Sequence, residues 1–327
     1  MDTSRDLEVE QHTARTPDGW LLELRVARAP AHFAGGLPLV IVPGYGMNSF
    51  IFSFHPKGTS MERSLCEAGF EVWSLNLRRQ GGSRKVRSDA GEASLRAYAE
   101  TDLCAALDAV LEHTATRADK VQLIGASLGG SLAYAHLALV PEHRVAGVVA
   151  IGAPLRWEAL HPALALAFRS PRLVGMLRFS GTRRLARTVL PLAARIPHAL
   201  DIYMNASHVD LSRAREMTQT VEDPIPRVNR DIAKWIGERD MILAGTNITE
   251  ALRGCTLPLL CVLSNRDGIV PTPAALSAAE IWADPAVQVL RIGDDDNWFS
   301  HADLFVADEA PGLVFSPIAS WLALQHG

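Results

Sequence analysis

The pentapeptide Gly125-Ala126-Ser127-Leu128-Gly129 constrains this chain more than any other stretch. It follows the apolar run Val121-Gln122-Leu123-Ile124 and opens the helical stretch Gly130-Ser131-Leu132-Ala133-Tyr134-Ala135. A strand that turns sharply into a helix around Gly-x-Ser-x-Gly holds its serine on a strained corner, with the hydroxyl projecting above the sheet edge. The glycines belong to that geometry, because side chains there would clash where strand and helix crowd together. A plain strand-to-helix turn carrying a spare serine is the competing reading.

The rest of the chain supplies the sheet that such a corner needs. Asp18-Gly19 is a turn signal between extended segments at 7–14 and 20–28. Leu39-Val40-Ile41-Val42, Glu71–Asn76 and Val145–Ile151 read as strands, the first and last apolar throughout, as in a parallel sheet covered on both sides. Helical signals fall near 59–68 and at 94–113, where Leu95, Tyr98, Ala99, Leu103, Leu107, Val110 and Leu111 share a face. From 156 to 250 the pattern is helical and irregular; strands return at 257–263 and 287–292, and a last helix runs over about 312–325. Alternating strands and helices predict an α/β fold with a mostly parallel sheet and helices on both faces. The expected division is a core at 1–155 and 251–327, with 156–250 as an inserted helical cap. A length of 327 residues fits one core with an insertion.

Composition removes several function classes. A net charge of −4 gives no general affinity for nucleic acid. No uncharged apolar run is long enough to span a membrane, and the opening Met1–Asp6 lacks the apolar stretch of a secretory signal, so a cytoplasmic protein is expected. Cys66, Cys104, Cys255 and Cys261 sit in apolar surroundings without metal-ligand spacing and read as reduced, buried thiols. No metal site and no cofactor are expected.

An activated serine needs a base, and the base needs an orienting acid. Asp267 lies just past the strand at 257–263, at the carboxyl end where an open parallel sheet places its site. His301 lies in the loop after the strand at 287–292, a late position that the other histidines lack. The competing readings are a turn cap for Asp267 and an ordinary loop histidine for His301. Asp294, Asp295 and Asp296 read as a solvated acidic turn, and Asp102, on a helix, as a surface residue.

The order Ser127, Asp267, His301 makes the resemblance specific: the chain resembles the α/β-hydrolase superfamily over about 37–155 and 255–327. The elbow, a Gly-containing loop after the third strand, the segment Asp267-Gly268-Ile269-Val270-Pro271 and the late histidine carry it. The resemblance implies the α/β-hydrolase fold, a Ser127–Asp267–His301 triad, and a cap between the sixth and seventh strands. It also implies an oxyanion hole from the backbone N–H groups of Leu128 and Tyr45. Two departures stand out. Many relatives have His-Gly where this chain has Pro43-Gly44, and many have Asp-x-Arg-Gly-x-Gly-x-Ser where it has Asn76-Leu77-Arg78-Arg79-Gln80-Gly81-Gly82-Ser83, which reads as structural turn variation. The His301-Ala302-Asp303-Leu304 neighbourhood is similar to the polyester-synthase branch, but that branch uses cysteine, and haloalkane dehalogenases use aspartate, where this chain has Ser127.

Residues 156–195 hold eight arginines (156, 169, 172, 178, 183, 184, 187 and 195) and a single acid, Glu158. This basic, apolar segment fits a solvated face over an apolar pocket, a weak contact with an anionic membrane surface, or a receptor for an anionic substrate end. Met47, Phe50, Phe52 and Phe54 follow the loop after the third strand and are expected to line an acyl pocket, with core packing as the competing role. The resulting expectation is a serine hydrolase for carboxylic esters, lipid-like ones included, with a small-molecule ester or acyl partner. Acyl transfer or thioester cleavage on the same triad, and a non-catalytic ligand-binding homologue, are the rivals.

Overall fold

A four-residue strand with no polar side chain is stable only where both of its faces are covered. β3 (Leu39–Val42) meets that condition: Val40 and Val42 enter one apolar cluster, Leu39 and Ile41 the other, and all four are fully buried. At about 1.5–3 kcal/mol per buried aliphatic side chain, this short run is a major anchor of the sheet. The computed structural model describes residues 7–176, 180–196 and 198–325. Met1–Asp6 and Arg178, which entered the sequence reading, lie outside the described residues.

β1 (Glu8–Arg15) and β2 (Trp20–Arg28) form the expected antiparallel hairpin, closed by Gly19 at φ +95°. β2 pairs antiparallel with β4 (Val72–Asn76), and the short strand Arg84–Lys85 also pairs with β2. From β4 onward every pairing is parallel, through β3, β5 (Val121–Ala126), β6 (Val145–Ile151), β7 (Leu259–Ser264) and β8 (Val287–Ile292). The spatial order is β1-β2-β4-β3-β5-β6-β7-β8.

The two clusters are the two sides of this sheet. Helices α2 (Leu103–His113) and α3 (Leu128–Leu139) pack on one side. Helix α1 (Met61–Glu67), started by Ser60 accepting the Arg63 N–H, and the last helix Ser316–Leu324 pack on the other. The helical signal over 94–113 resolves into a wide, π-type turn at Ala97–Asp102 followed by α2.

That turn corrects the reading of Asp102. Its side chain is fully buried, accepting the Arg78 Nε (2.8 Å), Nη2 (2.6 Å) and backbone N–H (2.9 Å). The Arg78 guanidinium is also fully buried and reaches Asp18 at 2.6 Å. A sequence periodicity cannot see an arginine arriving from the loop after β4. Burial pushes the Asp102 carboxyl up while the guanidinium opposes that shift, and the two carboxylates hold Arg78 charged. The thiols divide: Cys66 and Cys261 are buried and pushed up to about 12, whereas Cys104 and Cys255 are only partly buried.

Between β6 and β7 lie α4 (Pro162–Ala167), α5 (Pro171–Val174), α6 (Thr182–Ala193) and α7 (Pro226–Glu238). A clasp closes the base of this segment: Trp157 N–H donates to Arg239 O at 3.0 Å, and Arg156 bridges Glu158 and Asp240 at 2.8 Å each. Val228, Ile232 and Trp235 of α7 join the same apolar cluster as α2 and α3. No helix among the described residues is long and apolar enough to cross a membrane.

Candidate active site

Ser127 stands at the junction of β5 and α3 with φ +52° and ψ −119°. A non-glycine residue in this region costs about 1–3 kcal/mol, so its surroundings must enforce it. Its N–H donates to Ile151 O on β6 (2.7 Å), and its carbonyl accepts the Gly130 N–H (3.0 Å). The flanking glycines are steric necessities: a Cβ on Gly125 would overlap the Gly130 backbone, and one on Gly129 would overlap Val42 O.

His301 and Asp267 come together from loops after different strands. Asp267 Oδ2 accepts the His301 Nδ1–H at 2.6 Å, and both side chains are buried. The other oxygen, Oδ1, accepts the N–H groups of Ile269 (2.8 Å) and Val270 (2.7 Å). Turn cap and histidine partner are therefore one residue using two oxygens. With Nδ1 donating to Asp267, the neutral ring keeps Nε2 as an acceptor. Asp294, Asp295 and Asp296 form an exposed turn away from the pair.

Ser127 and His301 line one cavity of about 280 Å³, together with Tyr45, Met47 and Leu128. Its remaining wall is mostly apolar and comes largely from the inserted segment, including Leu160, Leu164, Phe168, Ile232 and Trp235. Among the described residues, the backbone N–H groups of Leu128 and Tyr45 have no acceptor within the protein. Phe50 and Phe52 require correction, because neither lines this cavity. Residues Phe50–Ser53 make a single helical turn that sends Phe52 into the core against Phe305 (6.1 Å between ring centroids) and stacks Phe50 on Phe54 (5.2 Å). No arginine of the described insert lines the cavity either, which removes the basis for an anionic substrate end there.

Several residues shape the site without having announced themselves. Gly152 sits at φ +56°, and a Cβ there would lie 3.0 Å from His301 Cε1 and 3.5 Å from Asp267 Oδ2. The turn after β4 is more than structural variation. Gln80 accepts the Leu77 N–H and reaches Gly44 O at 3.4 Å, so it braces the loop that carries Tyr45. The Tyr45 hydroxyl donates to Asn229 on α7 at 2.6 Å, and desolvation pushes this phenol up to about 12. The insert grips the same loop, with Asn48 N–H on Thr220 O and Glu222 N–H on Gly46 O, both at 2.8 Å.

A second grip holds the histidine loop. Ala302 N–H donates to Tyr203 O at 2.8 Å, and Asp303 accepts the N–H groups of Asn205 (2.9 Å) and Ser300 (2.7 Å). Burial pushes the Asp303 carboxyl up to about 6. The signal for this device was the acid two residues after His301, but its partner lies nearly a hundred residues away in the insert. Among the described residues, no three His, Cys, Asp or Glu are grouped to hold a metal ion.

No curated protein matches the sequence. Among solved structures, the chain is similar to a thermophilic esterase from Thermogutta terrifontis, at 20% identity and a TM-score of 0.64, covering 97% of this chain and 100% of that one. It is similar to an esterase from a Rhodococcus species at 21% identity and a TM-score of 0.64, covering 96% and 98% of the two chains. It is also similar to a monoacylglycerol lipase from Paleococcus ferrophilus at 16% identity and a TM-score of 0.60, covering 98% and 99%. These likenesses concern the fold. The family model described as alpha/beta hydrolase fold matches residues 38–301, a span running from the start of the β3 region to the histidine paired with Asp267. With that match over most of its length, the chain belongs to the alpha/beta hydrolase fold family.

Proposed function

We propose that the protein is a serine hydrolase that cleaves carboxylic esters with an apolar acyl part, through an acyl-enzyme on Ser127. The observation that carries this reading is the 2.6 Å His301–Asp267 pair bordering the same apolar cavity as a serine held at positive φ. Ser127 Oγ attacks the ester carbonyl carbon as its proton passes to His301 Nε2. The negative charge that develops on the carbonyl oxygen is met by the N–H groups of Leu128 and Tyr45. Collapse breaks the C–O bond, and His301 gives its proton to the departing alcohol. Water then adds to the acyl carbon with its proton going to Nε2, and the second collapse frees the acid and returns the proton to Ser127. Asp267 stays ionised throughout, fixing the tautomer and stabilising the imidazolium. The reaction so written draws on protein groups and water alone.

The substrate class follows from the wall of the cavity. At about 280 Å³ it lies at the lower end of small-molecule sites, and it offers apolar contact to the acyl part. The names of the structural relatives, two esterases and a monoacylglycerol lipase, support the same class. The test is hydrolysis of p-nitrophenyl esters from acetyl to palmitoyl by wild type and Ser127→Ala. Activity that rises with acyl length and falls by about 10⁴-fold or more in the variant is expected. Undiminished turnover by Ser127→Ala, or failure of a fluorophosphonate probe to label the folded wild type, refutes the assignment.

A further inference from the structure

A twelve-residue helix that buries none of its residues needs an explanation, because helices of this length are held mainly by packing an apolar face. α6 is such a helix. Its inward contact is Leu190, partly buried against the core. At 100° per residue, Leu185, Val189 and Leu192 form a separate stripe, about 100–160° from Leu190, and they are 63%, 47% and 54% exposed. The stripe is therefore not a misplaced core face. Ile196, just beyond the helix, is 61% exposed, and Leu166, Leu173 and Met176 earlier in the insert are 72%, 65% and 74% exposed. Scattered single exposures are ordinary, but three large apolar side chains on one stripe of a helix that buries none of its residues mark an interaction surface.

The charges around them select the partner. Among the described residues, Arg169, Arg172, Arg184, Arg187 and Arg195 have no carboxylate partner, whereas Arg183 is held by Glu222 at 2.9 Å. No acid occurs between Glu158 and Arg195. We propose that the exposed stripe of α6 docks on the surface of an anionic lipid bilayer and enters the headgroup boundary, with Arg184 on its flank and Arg195 just past the helix meeting lipid phosphates and carboxylates. A second copy of the chain is a poor occupant, since a twofold contact would set arginines against arginines. On and after α4, Leu164 and Phe168 line the cavity while Leu166 between them is exposed. The idea that substrate passes from bilayer to Ser127 rests on the ester-hydrolase reading above; the docking itself does not.

The experiment is co-sedimentation of the full chain with vesicles of phosphatidylcholine alone and of phosphatidylcholine with phosphatidylserine, alongside Leu185→Ser/Leu192→Ser and Arg184→Gln/Arg195→Gln. These side chains are outside the catalytic machinery, so turnover of p-nitrophenyl acetate reports that the variants are folded. Binding to the anionic vesicles is expected, with the arginine variant about 30-fold weaker and the leucine variant weaker still. Raising salt from about 0.1 M to about 1 M shortens the screening length from about 10 Å to about 3 Å and should release the protein in part. Absence of binding to anionic vesicles, or equal binding by both variants, overturns the proposal. So does a concentration-dependent dimer that the leucine substitutions abolish, which would make the face a protein contact. Vesicle binding is read without any ester, so its failure is distinct from failure of the proposed chemistry.

Discussion

Gly152→Ala separates the geometry of the histidine–aspartate pair from the stability of the fold. The substitution has two effects. An alanine at φ +56° carries about 1–2 kcal/mol of backbone strain, offset by about 0.4–1 kcal/mol from the stiffer unfolded chain. Its Cβ would also stand 3.0 Å from His301 Cε1 and 3.1 Å from Nδ1, so the ring must move by a few tenths of an ångström. A misplacement of about 1 Å at a reacting group costs on the order of 100-fold, which scales here to a fall in kcat of about 3–10-fold. KM should change little, because Gly152 is not a cavity-lining residue. Gly35→Ala is the control: it has φ +79° and nothing within 4 Å of the new Cβ. Both variants should melt no more than about 2 °C below wild type, and only Gly152→Ala should lose kcat. The assay is ester hydrolysis under saturating substrate beside a thermal melt. Wild-type kcat in a folded Gly152→Ala protein would refute the claim that this backbone approach seats the imidazole.

Two further outcomes follow from the buried acids. Asp102→Asn leaves the fully buried Arg78 charge short of its principal partner and should lower the unfolding free energy by about 3–5 kcal/mol in urea titration; a loss below about 1 kcal/mol would show that Asp18 alone satisfies the guanidinium. Asp303 holds its proton more tightly folded, at about 6, than unfolded, where the ordinary value is 3.8. Its contribution to stability therefore falls as pH rises from about 4 to about 6 and is level above that, by about 3 kcal/mol in total. The stability difference between wild type and Asp303→Asn should shrink by that order across this window. His55 and His136, whose pKa values burial lowers, destabilise both proteins equally on acidification and cancel in the comparison. A difference independent of pH would mean that Asp303 is not the titrating group.

Sequence alone determined whatever depends on neighbours in the chain. The elbow is local: strand, Gly-x-Ser-x-Gly and helix are contiguous, and the steric demand on Gly125 and Gly129 arises from backbone within that unit and the adjoining strand. The four-residue run at β3 and the Asp18-Gly19 turn were legible for the same reason. Asp267 and His301 were legible because a parallel sheet puts the carboxyl ends of its strands at one edge, so position after a strand stands in for position in space.

Tertiary structure decided the rest. Phe50 and Phe52 are apolar and close in sequence to Met47, yet one helical turn directs them to the core while Met47 reaches the cavity. Asp102 has the spacing of a surface helix residue, and only the fold brings Arg78 to it. The grips on the Tyr45 loop and the His301 loop join residues more than ninety positions apart and, apart from the Asp303 carboxylate, run through backbone groups that carry no sequence signature. Whether an apolar side chain meets core, cavity or solvent is set by the direction in which its element is docked. That direction is a property of all the contacts together, which is why the proximity of Asp267 and His301 could be read from the chain and the cavity wall could not.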